Sequence, residues 1–575
     1  LESRQRQGRT KKRGSRLRRF IGLVIIAAAA YWVAFYVLPN RQHTDPDWKG
    51  LQQPIFVKGQ LTGYSASGTG DGLLLPLPLL QEYVDSAIRY EEATKSVILS
   101  TDNDLLYMQE DSTSASLNNE PVQLRLAPEE QDGVTYLPAD SLEELYGLEV
   151  EEDSNTGAVL LMTAGESVPI GTVKGKAGDR TKALRSEATI HAPIVADMLP
   201  GTVVRIWNTD NKDEEWLYVQ MSSGYAGYIK AEDITADGEK TVEQQEYEPT
   251  RAERSWKGKA VNLFWEAVYE RKPNPANFGE LPGINVVSPT WFSIVDVNGN
   301  VRSKADKAYV EWAHKQDMEV WALLSNSFDA DLTTEALSSY ERRMTTIVQM
   351  LEYADLYDLD GINIDFENVY TKDGGNVTQF MRELKPMAQA KNLIVSIDVT
   401  PKSNSEMWSL FLDRKALGAA ADFLIVMAYD EHWASSPKAG SVASLPWVEN
   451  SISRIIEEDD VPAEKLILGV PLYTRIWTET TENGETKVSS KAVGMKTVQE
   501  LLAEKKLTPS FDNKTGQHYV EYKEDGSLYR IWIEDKVSLK ARVELAKSFG
   551  LGGVASWTRS FGTLEAWEAL QEISK

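Results

Sequence analysis

The feature that most constrains the fold is an alternation running through the last part of the chain. Apolar runs at 260–264, 284–287, 320–324, 361–366, 393–397, 423–428, 466–470 and 553–557 are separated by stretches with helical spacing. Eight strands separated by helices predict a parallel (β/α)8 barrel, whose usual ~250 residues leave room within 258–575 for an insertion. The active site of such a barrel lies at the C-terminal ends of its strands. The fourth run is the informative one. Asp360-Gly361-Ile362-Asn363-Ile364-Asp365-Phe366-Glu367 alternates apolar with polar residues and ends in two carboxylates two positions apart. Residues i and i+2 share one face of a strand, so Asp365 and Glu367 project together. Burying such a pair at the end of an apolar strand is costly, and that cost points to chemistry.

The insertion is expected at about 478–540, between the seventh and eighth strands. It reads as a small α+β unit: a helix at 497–504 and two alternating strands at 518–522 and 528–533, around the turn Glu524-Asp525-Gly526-Ser527. It would form one wall of a groove.

At 575 residues the chain exceeds one ordinary domain. Residues 1–19 are strongly basic and precede an uncharged apolar run at 20–38, long enough to span a bilayer as a helix. Positive charge ahead of the span predicts a single-pass anchor in the cell membrane, with a cytoplasmic N-terminus and the remainder outside; a cleaved signal peptide ending near Ala27 to Ala30 is the rival. The whole chain carries a net charge of −25, a balance that disfavours nucleic acid as a partner. There is no cysteine, which excludes disulfides, zinc–thiolate sites and a cysteine nucleophile. An exported chain without disulfides suggests a bacterial, Gram-positive envelope.

Residues 39–53 read as a polar stalk. An internal repeat follows at 54–165: a shift of 62 positions superimposes Leu75-Pro76 on Leu137-Pro138 and Val97-Ile98-Leu99 on Val159-Leu160-Leu161. Two β-α-β-β units make a small α+β domain that resembles the amine-oxidase N-terminal-like modules of bacterial wall enzymes. Short alternating strands at 182–235 make a small all-β barrel similar to a bacterial SH3-like domain, which implies contact with the cell wall. Its Trp207, Trp216, Tyr225 and Tyr228 are read either as ligand-facing or as core aromatics. Residues 236–257 are charged and read as a linker.

The last segment, 258–575, resembles glycoside hydrolase family 18, the chitinase-like barrels. Four pieces carry the likeness: the motif ending Asp365-Phe366-Glu367, then Met427-Ala428-Tyr429-Asp430, then Gly469-Val470-Pro471-Leu472-Tyr473-Thr474-Arg475-Ile476-Trp477, and the eighth strand ending at Trp557. The resemblance implies that Glu367 is the general acid, that Asp365 orients the substrate's 2-acetamido group, that Tyr429 bonds the acetamido carbonyl and that Asp430 supports the site. It places Asn363, Met427, Trp433, Tyr473, Arg475 and Trp557 at the substrate, with Trp557 as the apolar floor. Family 18 is substrate-assisted, so the acetamido oxygen attacks C1 and no protein nucleophile or cofactor is needed. A charged Asp365 close to Glu367 favours its protonated form, as a general acid requires.

Most chitinases of the family carry an Asp where this chain has Asn363. The same Asn-containing motif looks like that of spore-cortex and cell-wall N-acetylglucosaminidases, and so do the Asp430-Glu431-His432-Trp433 and Leu445-Pro446-Trp447-Val448 segments. The expected substrate is therefore an N-acetylglucosamine glycan, peptidoglycan ahead of chitin, with a non-catalytic lectin-like barrel as the alternative. Trp433, Trp447 and Trp477 are candidates for stacking on sugar faces, at least one of them being core. His432 reads as a groove or packing residue, since five histidines without ligand spacing suggest no metal.

Overall fold

The computed structural model describes residues 13–36, 38–207, 215–243, 258–482 and 485–574. These fall into two compact units, the first built mainly from the chain up to 246 and the second mainly from residues after it.

The second unit contains the expected barrel. Its strands are β1 (Val261–Glu266), β2 (Val286–Pro289), β3 (Glu319–Ser325), β4 (Gly361–Asp365), β5 (Ile394–Val399), β6 (Phe423–Met427), β7 (Leu466–Pro471) and β8 (Gly553–Trp557). Each pairs in parallel with the next, and β8 returns to pair with β1. Both faces of a barrel strand are covered, which is why these segments read as unbroken apolar runs. The interior is filled by Val261, Leu263, Trp265, Trp321, Leu323, Ile394, Ile425, Ile467 and Ala555. Closure leaves no space at one point: a Cβ on Gly553 of β8 would sit 2.1 Å from the Val261 carbonyl oxygen of β1.

The outer helices start on carboxylate caps, with Asp306, Asp329, Asp413 and Asp535 each accepting a first-turn backbone N–H. Two neighbouring helices, Tyr340–Tyr357 and Gly374–Ala390, are tied by a buried fork in which Arg343 donates to both oxygens of Glu383 at 2.7 and 2.8 Å. Gln379 adds a third donor to Glu383 at 3.0 Å, so the buried carboxylate is well served.

Between β7 and β8 lies a five-stranded antiparallel sheet in the order Glu485–Gly494, Tyr473–Glu482, Ser527–Ile533, Gln517–Glu524 and Ser510–Asp512, with the helix Met495–Lys505 against it. It begins directly after β7, so Tyr473 and Arg475 stand on its first strand. The sequence pattern had marked only two of these strands.

In the first unit, Leu74–Pro76 and Val134–Pro138 pair antiparallel with Leu75 opposite Leu137. Leu75 and Leu137, related by the internal repeat, are therefore register partners, whereas the repeat-related segments 97–99 and 159–161 lie in different sheets. A seven-stranded antiparallel sheet runs in the order Ile194–Met198, Lys182–Arg185, Ala226–Lys230, Trp216–Gln220, Val203–Ile206, Ser167–Val173 and Ile234–Thr241. Its core includes Val173, Leu184, Met198, Val204, Val219 and Ile229. Trp216 is buried, Trp207 packs on Met162 and Val168, Tyr225 lies against Trp48 and Tyr228 against Tyr218. Residues 40–44, read as stalk, run along this sheet, with Asn40 and Thr44 donating to the Ile190 and Ile194 carbonyls. The stretch read as linker begins inside the strand Ile234–Thr241, and its residues 244–257 lie outside the described residues, as do residues 1–12 of the basic tail.

Among the described residues no helix is long and apolar enough to cross a membrane. This overturns the expected single-pass anchor at 20–38 and the cell-membrane placement drawn from it. The helix Arg13–Tyr36 starts inside the basic stretch and stops short of Leu38. Its uncharged part, residues 20–36, rises only about 25 Å at 1.5 Å per residue, against a hydrocarbon core of about 30 Å.

Candidate active site

The alternation of β4 turns Asn363 and Asp365 to one side of the strand, and Glu367 follows just past its end. Asp365 is 7% exposed, and its Oδ1 has no hydrogen-bond partner among the described residues. Glu367 is held through its backbone: Asn326, at the end of β3, accepts the Glu367 N–H at 3.1 Å and donates to the Glu367 carbonyl at 2.7 Å. Asn326 is itself buried and donates to Thr333 Oγ1 at 2.8 Å. Burial, then the nearby Asp365 and Asp430 carboxylates, push the Glu367 carboxyl well above the usual carboxylate range. A carboxyl in that condition keeps its proton near neutral pH, which suits a general acid.

Beneath this pair is a polar network inside the barrel. Asn363 is fully buried and accepts from Trp265 Nε1 of β1 at 3.0 Å and from Ser288 Oγ of β2 at 3.1 Å. Its amide nitrogen donates to Asp398 Oδ1 of β5 at 2.9 Å. Asp398 is 3% exposed. Burial raises both Asp365 and Asp398 strongly, and the Asp398 charge raises Asp365 further.

The other walls come from β6, β7 and β8. Tyr429 follows β6 and packs on the barrel interior, close enough to Asp398, Glu367 and Asp365 for their charges, together with burial, to raise its hydroxyl. Asp430 sits in the left-handed region at φ 60° and accepts from Tyr473 Oη at 2.7 Å and Arg475 Nη2 at 3.3 Å. Arg475 also donates to Ser490 Oγ on the insert, which couples the groove wall to the acidic centre. Trp557 ends β8, half-buried, with its ring 6.0 Å from Trp265. Met427 ends β6 and is half-buried. Thus Asn363, Asp365, Glu367, Tyr429, Asp430, Tyr473, Arg475, Met427 and Trp557 converge on the C-terminal end of the barrel.

Trp433 stands apart on the loop after β6, 54% exposed, with Nε1 on Ser435 Oγ. Trp477 is fully buried and donates to the Gly440 carbonyl at 2.8 Å, so it is core and offers no face to a sugar. His432 donates Nδ1–H to the Ser441 carbonyl and its ring covers Gly440, a packing role. Among the described residues no cluster of three or more His, Asp or Glu could hold a metal ion.

Two participants escaped the sequence reading. Asn326 has no signal, being a single polar residue after an apolar strand. Asp398 did leave a trace: in Ile394-Val395-Ser396-Ile397-Asp398-Val399 it is an acid inside an apolar run, one residue beyond the span read as strand.

Residues 296–562 match the model for glycosyl hydrolases family 18, and residues 65–161 that for the copper amine oxidase N-terminal domain. The first match begins after β2, so Trp265 and Ser288 lie outside it. The chain is 27% identical over 306 residues to an uncharacterized glycosylase, YvbX, of Bacillus subtilis, covering 51% of this chain and 85% of that one. It is 26% identical over 253 residues to the cortical fragment-lytic enzyme of Bacillus anthracis, covering 43% of this chain and 57% of that enzyme. The solved structure of the spore cortex-lytic enzyme SleL of Bacillus megaterium shares the fold, with a TM-score of 0.50 at 21% identity over 59% of this chain and 78% of that one. The C-terminal barrel of this chain is a glycosidase domain of glycosyl hydrolases family 18.

Proposed function

We propose that this domain cleaves β-1,4 bonds following N-acetylglucosamine in peptidoglycan, with retention at C1. The observation that carries the reading is Glu367: a largely buried carboxyl beyond β4, beside a second buried carboxylate, and biased by both toward its protonated form. Glu367 gives its proton to the departing glycosidic oxygen while the substrate's acetamido oxygen attacks C1, forming a cyclic oxazolinium ion. Water then adds at C1 and returns a proton to Glu367. Asp365 faces the acetamido nitrogen, Tyr429 bonds the acetamido oxygen, and Trp557 underlies the reacting ring. Asp430, held by Tyr473 and Arg475, carries the negative charge next to the acid. Peptidoglycan is favoured over chitin by Asn363 in the motif and by the name of the Bacillus anthracis relative. The segment 182–235, read as SH3-like, is a wall-contacting module in this scheme.

Mass spectrometry of products from de-crosslinked peptidoglycan tests it, with an N-acetylglucosamine oligomer run in parallel. Muropeptides with new N-acetylglucosamine reducing ends, absent with Glu367→Gln, support the reading. Release from the oligomer alone moves the substrate to chitin, and glycan binding without any new reducing end makes the barrel a lectin.

A further inference from the structure

The proposed chemistry asks two things of Asp365. It must be an anion when positive charge develops on the acetamido nitrogen, yet in the resting protein it is buried with one oxygen bonded to nothing described. An isolated buried anion is expensive, so the resting group needs somewhere to exchange a proton. Asn363, two residues earlier on the same face, is an amide and has no carboxyl proton to share. The neighbouring strand has a candidate. In the β4–β5 register Ile364 stands opposite Ile397, so the next pair along is Asp365 and Asp398. Neighbouring strands lie about 4.8 Å apart.

We propose that Asp398 is the proton partner of Asp365, a positioning residue that takes from the adjacent strand the place Asn363 cannot fill. This rests on the hydrolase reading above. In the resting protein Asp398 is the anion, since it receives the Asn363 amide N–H at 2.9 Å, and Asn363 is itself fixed by Trp265 and Ser288. Asp365 keeps the proton, in keeping with its unbonded Oδ1. When the substrate's acetamido N–H meets Asp365, the proton passes from the Asp365 carboxyl to Asp398. Asp365 becomes the anion facing the oxazolinium, and the proton returns as that ion is hydrolysed. One proton moves between two carboxyl oxygens and nothing else is consumed. Both acids are raised by burial, Asp365 also by Asp398, and Asp398 also by Glu367. The other groups facing them are Glu367 just beyond β4, Tyr429 and Asp430 just beyond β6, Trp265 on β1 and Ser288 on β2. Tyr473 and Arg475 on the insert reach Asp430.

The test compares four full-length proteins: wild type, Asp398→Asn, Asn363→Asp and the exchange N363D/D398N. The readout is the pH profile of kcat on whichever glycan the wild type turns over. In wild type Asp365 unloads its proton onto Asp398, whereas in Asp398→Asn it must release that proton to solvent before it can face the acetamido nitrogen, so the acid limb should move up by at least about one pH unit, tenfold in the ratio of the two forms. Asn363→Asp should move it up. The exchange restores a carboxyl beside Asp365 on its own strand and should bring the limb back toward wild type. An unmoved limb overturns the proposal, because a purely structural role lowers kcat equally at every pH. So does a shift that the exchange leaves uncorrected. Infrared titration of the resting protein needs no turnover: Asp398→Asn should lose the protonated-carboxyl band at lower pH than wild type, and an unchanged band sinks the pairing even if a variant is too unstable to assay. Failure of the hydrolase reading shows separately, as wild type and Glu367→Gln that behave alike on both glycans.

Discussion

Asn326→Ala tests whether the acid is positioned by its backbone. Asn326 touches no proposed substrate position, but its side chain closes a two-bond ring on the Glu367 peptide and also accepts the Phe328 N–H at 3.2 Å. Ser327 and Phe328 both take left-handed φ, 56° and 53°, so the loop after β3 turns on this amide. Alanine leaves the Glu367 N–H and carbonyl without these partners, each costing about 1–2 kcal/mol, for a total of about 2–4 kcal/mol. Only part of the consequence is stability. A displacement of the acid by about an ångström lowers the rate about 100-fold, so kcat/KM should fall by about that factor at temperatures far below unfolding. Urea denaturation and steady-state kinetics on the same preparation separate the two. Thr333→Val is the control, since it removes the bond from Asn326 and the Thr333 donation to the Asp329 carbonyl but none to Glu367; it should cost about 2 kcal/mol and leave kcat/KM within about threefold. If Asn326→Ala loses stability as expected but keeps kcat/KM within about threefold, the ring is structural support and the positioning argument is wrong.

Asp430→Asn removes a charge that helps raise Glu367 while keeping an oxygen for the Tyr473 hydroxyl. Glu367 then ionises at lower pH, and the alkaline limb of the kcat/KM profile should move down, the opposite end from the limb that Asp398 controls. Arg343→Met breaks the buried fork on Glu383 and strands a carboxylate between two helices; urea midpoints should report a loss of about 3–5 kcal/mol. Gly553→Ala places a Cβ 2.1 Å from the Val261 carbonyl oxygen at the closing seam of the barrel. Overpacking there should cost about 3 kcal/mol or more, seen as a lowered melting temperature, and an unchanged melt would mean that β1 and β8 can separate freely.

The barrel was legible because each parallel strand is covered on both faces and therefore apolar throughout. The same logic failed for the insert. Its strand Glu485–Gly494 is largely exposed, so no apolar alternation marks it, and only 518–522 and 528–533 carry a strand signal. At the N-terminus, the count of uncharged residues at 20–38 ignored where the helix stops. The backbone ends it at Tyr36, and the apolar length falls short. Trp477 reads as a sugar platform in sequence, yet its place on the insert's first strand, Tyr473–Glu482, buries it with its Nε1 on the Gly440 carbonyl.

What the sequence by itself determined is everything local to one strand. The spacing of Asp365 and Glu367 places both at the end of β4, because alternation along a strand requires no knowledge of its neighbours. What only the tertiary structure decided is what lies across the strands. Asp398 stands beside Asp365, Asn326 grips the Glu367 backbone, and Tyr473 and Arg475 reach back to Asp430, through register and closure between segments tens of residues apart. Burial inside the closed barrel raises the acid most, ahead of its motif partner Asp365 and then Asp430 beyond β6.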